Sequence, residues 1–391
     1  MGVAFLPAAA QSPSPSAETK ETELVVHALC GKSVALLGES PVHGFGKTLD
    51  FKVELVRRLI DECRYNALFM ESGTYDYINI QKKLKSGQDV TDSMISAAIG
   101  RIWATKEMQP LIPFLREELK AGSLTLGGLD DQLGMGTYAQ REMPSDLVQY
   151  LQGDERSRCL ATLQKHMLWQ YTDDAPYGPP DEAKIVGCLD RIEARLPGEQ
   201  KGKAPWAEED RAMIASLKRY FARDLLEEFG KGPDPDAGWN ARDRSMYLNF
   251  RWMLSRLPSH SKVIVWTATV HAAKDLSGVS GFDRRVPLGS YIRRDFKDRA
   301  FTLGFSAYSG SYASVGQPVR PLNAAPNTSL EWRSFANRDS DTVYLSRKQL
   351  RNFGSVGARP LGTDFQTARW DHVLDGLVVF REERAPEYLP R

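Results

Sequence analysis

Continuous apolar runs and helical stripes alternate along the first third of the chain. Residues 34–37 (VALL) form a short apolar run that breaks at Gly38-Glu39. Residues 49–63 (LDFKVELVRRLIDEC) place Phe51, Leu55, Leu59 and Ile60 on one helical face. A second run, 67–70, ends at Glu71. A further amphipathic stripe spans 107–121, and a third run, 124–129, ends at Asp130. Strand, helix, strand, helix at this spacing predicts an α/β fold whose sheet is parallel with right-handed crossovers.

The pattern then changes. Helical periodicity dominates from 145 to 257, in the stretches 157–171, 182–196, 208–229 and 242–257, separated by Pro- and Gly-rich joints at 176–180, 197–205 and 230–238. This predicts a lobe of about four helices. Strand character returns at 262–267 and runs into His271, and the last third offers strands at 301–308, 342–345 and 377–380. The expected division is 1–22 as a tail, 23–144 as the first part of the α/β core, 145–257 as the helical insertion, and 258–391 as the rest of the core. The first residues end an apolar patch in Ala8-Ala9-Ala10 without a basic segment ahead of it. They read either as a flexible tail of a cytoplasmic protein or as the remnant of a secretory signal.

Composition narrows the function more than the fold. Fifty-one Lys and Arg balance 50 Asp and Glu, so no single-sign field exists to draw nucleic acid. No apolar run has the length of a bilayer span. A monomer that binds neither nucleic acid nor membrane is expected. Cys30, Cys63, Cys159 and Cys188 show no CxxC spacing, and four scattered cysteines in 391 residues read as neither a disulfide framework nor a zinc ribbon.

The candidate chemistry lies where the strand runs end, since ligands of open α/β sheets sit beyond the carboxyl ends of the strands. Those ends read Gly38-Glu39-Ser40-Pro41-Val42-His43, Met70-Glu71-Ser72, Leu129-Asp130-Asp131 and Trp266 through His271. Glu39, His43, Glu71, Asp130 and His271 are thus candidates for one cleft. Each has an ordinary reading beside it: Glu39 as a turn cap, His43-Gly44 as a turn pair, Glu71 paired with Lys52, Arg57 or Arg58, and His271 at a helix start. On spacing alone Arg242-Asp243-Arg244 reads as a solvated or ion-paired helix start. No phosphate loop, GxSxG elbow or HExxH motif is present.

Taken together, Gly38-Glu39…His43-Gly44 followed by Phe69-Met70-Glu71 resembles the erythromycin esterase family. Trp103-Ala104-Thr105-Lys106-Glu107 with Phe114-Leu115-Arg116, Gly128-Leu129-Asp130, Arg242-Asp243…Met246…Asn249, Val263 through His271 and the closing 371–379 (DHVLDGLVV) resemble its further motifs in order. The resemblance implies a mixed, largely parallel sheet flanked by helices, with the helical lobe over the cleft. It implies a carboxylic ester or lactone hydrolase that uses no cofactor and no metal. His43 would be the general base, Glu39 and Glu71 would orient it or the water, and His271 would stand at the carbonyl. Lys52, Arg242, Trp103 and Asp130 would face the substrate. An imidazole can take a proton from water at neutral pH, and N–H or cationic donors then hold the oxyanion. Two positions depart from the family pattern. Three residues rather than two separate Glu39 from His43, and Ala268 and Thr269 replace a histidine and an asparagine of the WxHNxH motif.

Two other readings use the same residues. One is a non-hydrolytic relative in polysaccharide or secondary-metabolite synthesis, or a ligand-binding protein. The other is a metal-dependent enzyme, because two His and two or three carboxylates also form a transition-metal ligand set.

Overall fold

The computed structural model describes residues 17–197, 205–223 and 234–390. Ten strands follow one another as β1 (Val34–Leu37), β2 (Ala67–Gly73), β3 (Thr125–Asp130), β4 (Val263–Trp266), β5 (Ala300–Tyr312), β6 (Arg320–Leu322), β7 (Thr342–Ser346), β8 (Ser355–Ala358), β9 (Gln366–Arg369) and β10 (Gly376–Glu383). The main sheet runs β3-β2-β4-β1-β5-β10-β7, with β6 paired to β5, while β8 and β9 form a separate hairpin. All pairings from β3 to β10 along that order are parallel, and β7 and β6 pair antiparallel. The sheet is therefore mixed and largely parallel.

Its faces are set by strict alternation. Ala35, Leu37, Leu68, Met70, Ile264 and Trp266 pack with the helices Gly46–Cys63 and Leu111–Lys120. Val34, Leu36, Ala67, Phe69, Val263 and Val265 pack on the other face with the helices Pro235–Leu254 and Leu288–Phe296. The helices Gly153–Met167, Pro179–Arg195 and Ala207–Phe221 share a core of their own through Leu163, Ile185, Leu189 and Leu217.

Several boundaries move for reasons that no local pattern carries. The helix expected from 49 begins at Gly46, because the backbone N–H groups of Lys47 and Thr48 donate to Glu383 on β10 at 2.6 and 3.2 Å. The helix expected from 107 begins at Leu111, since the C-terminal segment holds the preceding turn through Lys106 N–H to Glu387 O (2.8 Å). The helix Ala17–Cys30 extends order into the expected tail, whose first 16 residues lie outside the described ones, as do 198–204 and 224–233 of the Pro- and Gly-rich joints and the end of 208–229.

The expectation of no disulfide framework is overturned. Cys30 bonds Cys63, tying the first helix to the end of Gly46–Cys63, and Cys159 bonds Cys188 between two helices of the lobe. The partners are 33 and 29 residues apart and meet only through helix packing, so spacing could not reveal them. Among the described residues no helix is long and apolar enough to cross a membrane.

Candidate active site

The order β3-β2-β4-β1 sets four parallel strands side by side, so their carboxyl ends present Asp130, Glu71, the 267–271 segment and Glu39 along one edge. The last two are drawn together by Gly38. A Cβ there would lie 2.7 Å from Thr269 Oγ1 and 2.8 Å from its Cα, and the gap it leaves lets Thr269 N–H reach Glu39 O at 2.7 Å. Glu71 sits where β2 shifts register against β3, between Met70 and Gly73, a bulge that re-aims its carboxylate.

Around Glu39 the geometry is convergent. Its Oε1 accepts from His43 Nδ1 and from Trp103 Nε1, both at 2.7 Å, and its Oε2 accepts from Lys52 Nζ at 2.7 Å. Burial opposes the carboxylate's charge, but Lys52 and His43 outweigh it and hold Glu39 below its ordinary range. Because an ionised Glu39 can only accept, His43 must donate through Nδ1, which leaves Nε2 as its basic nitrogen. The extra residue of the motif is absorbed in a turn, with His43 N–H bonded to Ser40 O at 2.9 Å. His43 itself then adopts φ +50, a conformation uncommon for a residue with a Cβ, which turns the imidazole back onto Glu39.

The second histidine is held differently. His271 Nδ1 lies 2.9 and 3.0 Å from the two oxygens of Asp243, and its Nε2 lies 3.3 Å from Glu71 Oε1. Burial works against its charge, yet Asp243 and Glu71 push it up to about 10, so it is an imidazolium at neutral pH. Arg242 Nη1 stands 3.3 Å from that Nε2. Two cations tolerate this approach because Arg242 also donates to Asp130 (2.6 Å) and Glu71 (3.2 Å). Glu71 accepts as well from Thr267 Oγ1 and Ala268 N, both at 2.7 Å. Burial opposes its charge, but His271 above all, with Arg242, outweighs it and holds Glu71 well below its ordinary range. Trp239 stacks on the imidazolium, with centroids 5.3 Å apart.

One cavity of about 300 Å³ joins the two clusters. His43, Glu71, Trp103, Asp130, Arg242 and His271 line it, as does the Ala268 methyl. Glu39 and Lys52 stand behind His43 rather than on the wall. Lys52 is fully buried, lies 4.0 Å from the centroid of the Trp266 ring and pairs with Glu39, and it is not among the residues that line this cavity. Sequence reasoning missed the part played by Asp243. Arg242 and Asp243 lie well inside the helix Pro235–Leu254, buried and ion-paired, so of the two readings of this stretch the ion pairing holds and the solvated helix start does not. Arg242 is kept there by ion pairs with the strand-end carboxylates Asp130 and Glu71, and Asp243 by its pair with His271. Of the 145–257 stretch, only Trp239 and Arg242 line the cavity among the described residues. No group of three or more His, Cys, Asp or Glu is arranged to hold a metal ion among the described residues. The carboxylates point at histidine, arginine and backbone donors instead of at a common centre.

A family model described as erythromycin esterase matches residues 60–382. "Putative hydrolase YbfO" of Bacillus subtilis is 23% identical over 390 residues, covering 93% of this chain and 84% of its own. Among solved structures, a Bacillus cereus protein is similar with a TM-score of 0.69 at 16% identity, covering 97% of this chain and 96% of that one. A succinoglycan biosynthesis protein is similar at 0.68 and 13% identity, covering 94% and 92%. A mutant of the erythromycin esterase EreC in its open conformation is similar at 0.66 and 14% identity, covering 93% and 94%. At these identities the structures show a shared fold, and the match over most of the sequence supplies the family: the chain is a hydrolase-like member of the erythromycin esterase family.

Proposed function

We propose that this site hydrolyses a carboxylic ester, lactones included, with water activated by His43. The observation that carries the reading is the opposition of the two histidines on one cavity. The first has its Nδ1 fixed by Glu39 and its Nε2 without a hydrogen-bond partner among the described residues, and the second is already protonated. Water gives a proton to His43 Nε2 while its oxygen bonds to the carbonyl carbon. The oxyanion that forms is neutralised by the His271 imidazolium and the Arg242 guanidinium. When the C–O bond breaks, His43 returns its proton to the leaving alkoxide, so a lactone gives one hydroxy acid and an open ester gives an acid and an alcohol. Ala268 in place of the family's histidine leaves volume at the wall, and a methyl group offers no proton, so substrate choice is expected to differ from that of a macrolide esterase.

The test is a panel of lactones and open esters, macrolides among them, followed by intact mass and by acid release. Addition of one water to at least one substrate is expected, with erythromycin-like lactones turned over poorly. Silence across the whole panel would defeat the hydrolytic reading and favour a relative that binds without cleaving.

A further inference from the structure

The reaction cavity is not closed on the side of Ser72 and Gly73. Those two residues, with Gly100, Arg101 and Gly134, also line a second chamber of about 410 Å³. Its walls are the small side chains of Ala97, Ala98 and Ala104, and Met135 stands over it with 72% of its surface exposed. Such a wall favours an apolar body lying flat against it.

Charge is distributed unevenly between the chambers. In the first, Glu71 and Asp130 are answered by Arg242, by His271 and by the donors of Thr267 and Ala268. In the second, Asp76 is nearly buried, and its Oδ1 accepts from Tyr138 N at 2.9 Å. Arg101 stands on the wall common to both chambers, and its guanidinium has no ion pair or hydrogen bond among the described residues. The backbone explains how it comes to face the cleft. Gly100 adopts φ +96 and starts the short turn Arg101–Trp103, which carries Trp103 inward to Glu39 and leaves Arg101 exposed two residues earlier.

We infer that the ester taken by this site carries an acidic group on an apolar body, with the body in the second chamber and the acid paired to Arg101. The inference rests on the hydrolytic reading for the word ester, but not for the binding it describes. A guanidinium on the wall shared by the two chambers, able to grip a carboxylate through two N–H donors, selects such a molecule over its neutral analogue.

A matched pair of probes tests it: the monoethyl ester of sebacic acid, which keeps one free carboxylate, and the diethyl ester, which has none. Calorimetric binding to the otherwise inactive His43→Ala chain is compared with binding to the same chain carrying Arg101→Leu. The monoester is expected to bind at least about tenfold more tightly than the diester, and to lose that advantage with Arg101→Leu while the diester is unaffected. In the active chain, Arg101→Leu is expected to raise KM for the monoester and to leave kcat unchanged, as a specificity contact would. Equal binding of the two probes, no binding of either, or a monoester affinity untouched by Arg101→Leu would overturn the inference. Arg101-dependent binding of the monoester, together with silence of the active chain on the monoester and across the whole ester panel, would uphold the inference and defeat the hydrolytic reading alone.

Discussion

The two histidines of the cleft stand on one cavity in opposite surroundings. His43 keeps 12% of its side-chain surface exposed, leans on a single carboxylate and has one nitrogen without a hydrogen-bond partner among the described residues. His271 keeps 2%, meets Asp243 on one nitrogen and Glu71 on the other, and retains its proton up to about 10. A group that must exchange a proton in every cycle needs an open nitrogen. A group that must present positive charge needs its proton made permanent. Both environments use buried carboxylates, so it is the number and the placement of acceptors that separate a base from a fixed cation.

The comparison breaks most visibly at His43. On the proposed mechanism, replacing it with alanine removes the base and touches little else, since Glu39 keeps Lys52 and Trp103 as donors. Turnover is expected to fall by about 10²–10⁴ while thermal unfolding stays close to that of the parent. Near-parental kcat/KM on a genuine substrate would remove His43 from the role of base.

His271→Ala is expected to do less to the rate and more to the fold. Loss of one oxyanion donor costs about 10²–10³ in kcat. The buried Asp243 would keep only the Leu288 backbone N–H as its nearest donor, at 2.7 Å, and breaking a buried ion pair typically costs about 3–5 kcal/mol. Chemical denaturation should therefore separate the two alanine variants even where their activities overlap. Equal stability of both would mean that His271 is not the charged anchor its partners imply.

What the sequence made legible follows the same division. Glu39, Glu71, Asp130 and His271 were readable because each follows a buried apolar run, and polar groups at such places have few reasons to exist other than pairing or chemistry. The strand alternation likewise foretold the parallel sheet. The spatial order of the strands was hidden, because β4 inserts between β2 and β1 after an excursion of more than a hundred residues through helices. So was every feature whose partner is distant: the Glu383 carboxylate that starts the Gly46–Cys63 helix, the Cys30–Cys63 and Cys159–Cys188 pairs, and Asp243 beneath His271. Lys52 was assigned to the substrate because a cation in a motif is easily read as a ligand contact. Only packing shows that it lies under the Trp266 ring and spends its charge on Glu39.

The smallest effect expected at plateau activity is also the one that sharpens the comparison most, and it concerns Lys52. Burial drives its ammonium down from 10.5 to about 8, with Glu39 working in the opposite direction. As pH rises through about 8 the ammonium loses its charge, Glu39 loses the cation that keeps it ionised, and its hold on His43 weakens. An alkaline limb in kcat/KM near 8 is expected. Stability moves the other way in the same window. Between about 8 and 10.5 the unfolded chain binds more protons at this residue than the folded one, so this group's contribution to stability rises with pH while activity falls. His271 has the opposite sign: its folded value of about 10 lies above the ordinary 6.5, so the stability it contributes is complete below 6.5 and is lost as pH rises through about 10. Lys52→Arg separates the two groups. A guanidinium stays charged throughout this range and can keep the bond to Glu39. The plateau rate should change little, while the alkaline limb should move from about 8 toward about 10, where His271 gives up its proton. A limb that remains near 8 in a folded, active Lys52→Arg chain would show that Lys52 does not govern the ionisation of the His43 half of the site.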